Sequence, residues 1–387
     1  MKQPEVLVVG GGIIGSSIAY YLTKRDVEVT VVERGKLLGG ASGANQGGIP
    51  VSLFDPPLLD LVRESRKLYD ELSGELDEDL GFDETGLLLL VLDEDQVSLL
   101  NKFRKRLEER GLGVEGLSKD ELRSEQLLAD NVKAAIKTSE DASVDPFKVG
   151  FGFINRAKAN GATFLKDTEV TDIKTSGKKV TKVKTNRETL QPKYLVNAAG
   201  AGAESVGDMV GLDIPVKPRR GQVLVTEPTP RANYRYLMDF DYLATALGDG
   251  SEEEKSQRLE LGVASSLIQE PSSNWTIGAS RDFTGFDKKT TRKTLGYLAD
   301  RATKFIPDFE DCNIIRSYAG LRPYCHVDGE PILGRVEKMD NFFIATGHAG
   351  EGITLAPITG KLLASEIVSG KKAELLEGFR YSRFDSK

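Results

Sequence analysis

The chain has 387 residues of which 39% are hydrophobic, enough apolar length for two buried cores and too much for a disordered polymer. Its formal charge of −7 comes without a dense lysine and arginine run, which excludes a phosphate-tracking stripe for nucleic acid and disfavours an anionic membrane surface. No apolar stretch approaches the roughly 20 residues that span a bilayer, and Lys2 runs into a glycine-punctuated strand rather than a secretion signal, so the expected location is cytoplasmic.

The first elements are the most informative. Val6-Leu7-Val8-Val9 predicts a buried strand, Gly10-Gly11-Gly12-Ile13-Ile14-Gly15 a tight turn that opens a helix, and a second strand ends at Glu33. Glycines in such a turn let backbone N–H groups approach a pyrophosphate, the helix N-terminus adds partial positive charge, and the acid is placed for ribose hydroxyls. Gly10, Gly12, Ile13, Ile14, Gly15 and Glu33 are therefore candidate dinucleotide contacts, a reading that does not separate FAD from NAD.

Further along, Gly86 to Leu92 is a continuous apolar run suited to a buried strand, and Asp95 to Arg110 has helical spacing. Ser143-Val144-Asp145-Pro146 predicts a strand end and an N-cap, followed by a helix to Asn160 and a Gly161 cap. Thr163 to Gln191 alternates around Ser176-Gly177 as antiparallel strands do, and Gln222 to Thr226 and Trp275 to Ala279 suit strands of another sheet. Gly248 to Glu254 is expected to be a solvated acidic loop.

Two segments repeat the opening logic of strand into glycine-rich turn, Tyr194 to Gly202 and Phe342 to Gly352. If all three turns lie at the carboxyl edge of one parallel sheet, distant parts of the chain build one cofactor crevice. Two cysteines, Cys312 and Cys325, suit a reducing compartment, and two histidines, His326 and His348, are too few for a spaced zinc set, so no metal is expected.

The last third carries a wider resemblance: Tyr318-Ala319-Gly320-Leu321-Arg322-Pro323, then Asp328-Gly329-Glu330-Pro331-Ile332-Leu333-Gly334, then Gly347-His348-Ala349-Gly350-Glu351-Gly352-Ile353-Thr354-Leu355-Ala356-Pro357. With the opening turn, this resembles the FAD-dependent D-amino-acid oxidase superfamily, in the branch with glycine oxidase, sarcosine oxidase and imino-acid or opine dehydrogenases. The resemblance implies an α/β and α+β fold: a Rossmann-like FAD-binding domain and a substrate domain built on an antiparallel sheet. The division expected is 1–84, 146–214 and 330–387 for the first and 85–145 and 215–329 for the second.

By position, the resemblance places Gly10, Gly12 and Gly15 at the FAD pyrophosphate and Glu33, with Arg34 beside it, at the adenosine ribose. Ala41, Ser42, Asn45, Gln46, Gly47 and Gly48 resemble a second loop beneath the flavin, and Val170, Ala199 and Gly200 join the cofactor contacts. Gly347, His348, Gly350, Gly352, Ile353 and Thr354 resemble the segment whose helix start faces the flavin pyrimidine, with His348 either tuning the ring or packing. Arg322 is the expected grip on a substrate carboxylate, since a guanidinium fork matches two carboxylate oxygens; Tyr324 and Tyr242 are weaker candidates for a second contact.

Related sarcosine oxidases attach flavin through a cysteine where this chain has Leu321, so the flavin is expected to be noncovalent. His326-Val327 stands where the branch often has Thr-Pro, which puts a histidine near the expected roof of the site. The implied activity is oxidation of the C–N bond of an α-amino or cyclic imino acid, with a small-molecule amine as substrate and a partner subunit or homo-oligomer left open. The rival readings are a flavin dehydrogenase of a 2-hydroxy acid or glycerol phosphate, suggested by Ser42 to Asn45, an electron-transferring FAD subunit of a heteromeric complex, and a plain NAD dehydrogenase.

Overall fold

A computed structural model describes residues 3–117, 119–124, 128–241, 263 and 265–385. Tyr242 and the expected acidic loop from Gly248 to Glu254 lie outside the described residues. Among the described residues, six strands form one sheet in the order Ile332–Arg335, Phe342–Thr346, Tyr194–Asn197, Val6–Val9, Val29–Val32 and Thr163–Leu165. All neighbours run parallel except Ile332–Arg335, which returns antiparallel along Phe342–Thr346.

Parallel strands covered on both faces must be apolar on both, and every residue of Val6–Val9 and of Val29–Val32 is buried. Val6 and Val8 pack into one core with the helices Ile13–Thr23, Leu58–Leu76, Pro146–Ala159 and Gly352–Ser369. Leu7 and Val9 point the other way, onto an antiparallel layer of Val170–Ser176, Lys179–Thr185 and Thr189–Leu190. The expectation of antiparallel strands from Thr163 to Gln191 is thus corrected at its start. Thr163–Leu165 pairs in parallel with Val29–Val32, because the helix before it, Pro146–Ala159, brings it back beside that strand. This helix begins as its sequence asks: Asp145 Oδ1 accepts from Phe147 N at 2.9 Å and Lys148 N at 3.1 Å, and Pro146 occupies the first turn.

The second sheet runs Ile314–Cys325, Val216–Pro228, Asn274–Gly278, Ser266–Gln269, Tyr236–Asp239, Leu87–Val91, Ala134–Thr138 and Val114–Leu117. It is antiparallel apart from Tyr236–Asp239 against Leu87–Val91, so the expected antiparallel sheet is a mixed one. One face packs on the helix Arg292–Thr303 through Leu224, Leu267, Trp275, Ile277 and Leu298. The opposite face, carrying Val223, Tyr236, Met238 and Ile268, looks back toward the first sheet and lines a cleft.

The helix Gly352–Ser369 contains Pro357, which lacks the N–H that would bond Ile353 C=O. The opening is sealed from the neighbouring helix Leu58–Leu76. Tyr69 Oη donates to Ile353 O at 2.6 Å, and Ser65 Oγ donates to Thr354 O at 2.6 Å. Both bonds fix the first turn of a helix whose N-terminal end opens on the cleft.

Candidate active site

The three glycine turns converge. Val6–Val9, Tyr194–Asn197 and Phe342–Thr346 are adjacent and parallel, so the turns after Val9, Asn197 and Thr346 share one sheet edge, the condition set for a single crevice. They form the floor of a cleft of about 780 Å³ that extends to the second sheet. At one end lie Val32, Glu33, Arg34, Val170, Ala199 and Gly200; in the middle Gly10, Gly12, Ile13 and Ile14 face Ala41, Ser42, Asn45 and Gln46; at the far end lie Arg281, Arg322, His348, Gly350, Glu351, Gly352 and Ile353.

The shape fits a dinucleotide by its backbone. Gly10 has φ +115°, and a Cβ there would meet Ala198 O at 2.3 Å, so only glycine brings the strand's end this close to the neighbouring turn. The first N–H groups of Ile13–Thr23 point into the cleft by helix geometry, and Ser42 Oγ accepts from Ile13 N at 2.9 Å. Glu33 is oriented by two amides, accepting from Gly11 N at 2.8 Å and Gly35 N at 2.9 Å. Asn45 bridges the walls, donating to Gly350 O at 2.9 Å and accepting from Gly47 N at 2.7 Å. Gln46 Nε2 donates to Thr276 O at 3.0 Å, so this loop is pinned to the second sheet.

Several expected contacts are structural instead. Gly15 does not line the cleft; it packs under Gly10, where a Cβ would meet Gly10 O at 2.0 Å. Gly47 packs on the Val144 carbonyl and Gly347 on the segment Glu330–Ile332, and neither lines the cleft. Gly48 does line it, while Thr354 is fully buried with its hydroxyl toward Gly48 O at 3.4 Å. Tyr324 shares a strand with Arg322 but is covered, its ring 3.8 Å from the Arg219 guanidinium and 5.8 Å from the Phe283 ring. His326 is exposed beyond the strand's end and is not a roof residue. The Asp328–Gly329 turn is instead tied to the C-terminal tail, Arg383 Nε donating to Asp328 Oδ2 at 2.8 Å.

At the far end, Arg322 Nη1 donates to Ser280 O at 2.7 Å, and its guanidinium lies over Gly221, where a Cβ would come within 2.3 Å of it. Gly350 borders its stem, 3.6 Å from Nε to a Cβ built there. His348 is buried, its Nε2 3.2 Å from Thr359 Oγ1, and burial pushes its pKa down to about 3, so the imidazole is neutral. Glu351 and Tyr236 also line this end and were not singled out by sequence. Glu351 is raised from the ordinary carboxyl range by burial, against the opposing charges of Arg281, Arg322 and Arg219. Its signal was its place inside the Gly350-Glu351-Gly352 turn, whereas Arg281 follows a strand with no pattern around it.

The model of the DAO family, FAD dependent oxidoreductase, matches residues 5–366. The chain belongs to this family. Among its relatives, glycine oxidase of Geobacillus kaustophilus is 31% identical over 99% of this chain and 98% of the relative. Subunit HcnC of hydrogen cyanide synthase from Pseudomonas aeruginosa is 28% identical over 93% and 91% of the two chains. The crystal structure of the Geobacillus glycine oxidase superposes with a TM-score of 0.87 at 28% identity, covering 99% of both chains. That of L-proline dehydrogenase from P. horikoshii gives 0.87 at 28% identity, covering 100% of this chain and 98% of the other. The protein is an FAD-dependent oxidoreductase with a small-molecule substrate, and the fold that the resemblance implied is the one its relatives have. Among the described residues no helix is long and apolar enough to cross a membrane.

Proposed function

We propose that this protein oxidises the C–N bond of an α-amino or cyclic imino acid. The observation that carries the reading is Arg322: a guanidinium in the cleft wall, held by Ser280 O at 2.7 Å and bordered by Gly350 in the turn that starts the helix Gly352–Ser369. Bound FAD supplies a hydride acceptor at flavin N5. Among the residues that line the cleft, Gly10, Gly12, Ile13, Ile14, Ser42 and Glu33 would hold its nucleotide half, and Gln46, Gly48, Gly352 and Ile353 would lie toward its ring. The attachment is noncovalent, since Leu321 offers no nucleophile and Cys325 is buried in the core behind the cleft.

Arg322 orients the substrate carboxylate with a two-pronged hydrogen bond, which aims the α-hydrogen. Glu351 lines the same end of the cleft as Arg322, and its raised affinity for protons suits it to take one from the substrate amine, leaving the amine neutral and its electron pair free to form the imine. His348, held neutral by burial, packs behind the turn. The positive end of Gly352–Ser369 favours negative charge gained on that side of the cleft.

The test is anaerobic bleaching of the FAD-loaded protein by proline, hydroxyproline, sarcosine, glycine and D-amino acids, against lactate, 2-hydroxyglutarate and glycerol 3-phosphate. The amines are expected to reduce the flavin, and Arg322→Met to lower kcat/KM by about 100-fold, the scale of losing one partner of a buried charge pair. Reduction by the hydroxy compounds alone overturns the reading in favour of alcohol oxidation.

A further inference from the structure

A buried ion-pair network lies just behind the cleft wall. Side chains alternate along Val216–Pro228: Gly221 and Val223 line the cleft, so Arg220 and Gln222 project from the other face, on the side where Leu224 meets the helix Arg292–Thr303. Arg220 is buried, and its fork is filled. Nε donates to both Asp282 carboxylate oxygens at 3.2 Å, Nη2 donates to Oδ2 at 2.5 Å, and Nη1 donates to Lys289 O at 2.7 Å and to Asp287 Oδ2 at 3.4 Å. The main chains are paired as well, Arg220 N donating to Asp282 O at 2.8 Å and Asp282 N to Arg220 O at 3.2 Å. Gln222 N donates to Ser280 Oγ at 3.2 Å, and Gln222 Oε1 accepts from Thr291 N at 2.6 Å. The connection from Ser280 to Thr291, which joins the strand Asn274–Gly278 to the helix Arg292–Thr303, is thus fastened to one strand at both of its ends.

Stability alone does not call for this arrangement, since well-packed apolar residues of similar volume often serve as well as a buried ion pair. What a two-pronged pair with reciprocal main-chain bonds does fix is geometry. Here it fixes Ser280. That residue is fully buried, its Oγ donates to Asp282 Oδ1 at 3.4 Å while accepting from Gln222 N, and its carbonyl accepts from Arg322 Nη1 at 2.7 Å. Arg322 comes from the facing strand Ile314–Cys325, and Gly221, between Arg220 and Gln222, leaves room for its guanidinium. One short stretch therefore makes the space for Arg322 with a glycine on the cleft side and aims it with an arginine and a glutamine on the other.

Resting on the carboxylate role read for Arg322 above, we propose that Arg220 is a positioning residue for that arginine: with Asp282 it holds Ser280, and the Ser280 carbonyl holds Arg322 in the pose that receives a substrate carboxylate. Arg220 does this without reaching the cleft.

Methylthioacetate, a carboxylate with no amine to oxidise, tests the proposal by titration against the flavin spectrum of the FAD-loaded protein. Arg322→Met is expected to weaken its binding by about 100-fold, and Arg220→Met by about tenfold, since Arg322 then keeps its charge and loses only its pose. Arg220→Lys should lie between wild type and Arg220→Met. Because Arg220→Met leaves Asp282 without its main partner, the double variant Arg220→Met with Asp282→Leu serves where the single one fails to fold, with the same loss of binding expected. Added to Arg322→Met, either change is expected to cause no further loss, because a group that acts through another has nothing left to act on. Losses that multiply in the combined variants, or unchanged affinity in both Arg220 variants, overturn the positioning role while the carboxylate grip of Arg322 stands. Unchanged affinity in Arg322→Met, or no spectral response of the wild type to methylthioacetate, overturns both.

Discussion

The two ends of the cleft are built by opposite means. At the nucleotide end the walls are main chain: Gly10 and Gly12, the start of Ile13–Thr23, and amides that orient Glu33. At the substrate end they are long side chains, Arg281, Arg322, Glu351 and Tyr236, brought from four separate segments. A backbone wall is rigid and chemically uniform, which suits a constant ligand, and it fails sharply when an atom is added. A side-chain wall can be altered residue by residue while the cofactor stays in place, which suits a family whose members act on different substrates.

The largest effect that separates the two ends is expected from Gly15→Ala. A Cβ there meets Gly10 O at 2.0 Å inside the turn, with the Gly10 carbonyl carbon and a Val8 methyl each at 3.2 Å, so the main chain of the turn itself has to move. Overpacking of this kind costs about 3 kcal/mol or more, so the variant should lack flavin absorbance and melt well below wild type. A yellow, stable Gly15→Ala protein would show that the turn tolerates what its geometry forbids.

Gly221→Ala tests the other end. Its Cβ falls within 2.3 Å of the Arg322 guanidinium, the far end of a flexible side chain, so the arginine swings away rather than the fold breaking. FAD content is expected to be normal and kcat/KM to fall by about 100-fold, the scale of a misplacement of 1 Å at a positioning group. Loss of flavin together with activity would mean that the two ends are not separable.

This contrast also explains what was legible in the sequence. The run from Val6 to Glu33 could be read because every part of the nucleotide wall there is contiguous, and the spacing of Gly10, Gly12 and Glu33 is the geometry itself. The convergence of the three glycine turns followed from the same repeated pattern. Gly15 came from the spacing of the turn and Gly47 from the family resemblance, yet neither tells a glycine that faces a ligand from one that faces a carbonyl. Thr163–Leu165 was misread because three residues are too short to distinguish a strand returning to the parallel sheet from the first arm of a meander. Arg322 came from a motif, whereas Arg281 depends on where the strand Asn274–Gly278 ends in space, which no local pattern records. Tyr324 was a weaker candidate for a second carboxylate contact, but the ring and the guanidinium packed on it come from Phe283 and Arg219, which no local pattern records.

His348 gives a smaller effect at the boundary between the two walls. Its pKa falls from 6.5 to about 3 on folding, so the unfolded chain binds a proton that the folded chain refuses. Stability tied to this group is complete above pH 6.5 and is lost as pH falls from there toward 3. At pH 5 the loss amounts to about 2 kcal/mol. Replacing the residue removes that slope: relative to its own value at pH 8, His348→Asn should lose less stability than wild type on going to pH 5 in denaturant melts. Parallel curves for the two proteins would mean that the folded chain protonates the imidazole as readily as the unfolded one, and the neutral buried group would be wrong.

The smallest effect is expected where a side chain intrudes on the backbone-built end. Ser42 Oγ accepts from Ile13 N at 2.9 Å, doing for Ile13–Thr23 what a capping side chain does, because Gly12 at the cap position has no side chain to offer. Ser42→Ala leaves that N–H without its acceptor at a cost of about 1 kcal/mol, but the main-chain amides around it stay where they are. Melting of the FAD-free protein should therefore drop by a few degrees while FAD affinity falls by no more than about tenfold, the equivalent of the lost cap. A far larger loss of FAD affinity at unchanged stability would move the nucleotide end toward the logic of its opposite, a wall whose grip depends on individual side chains.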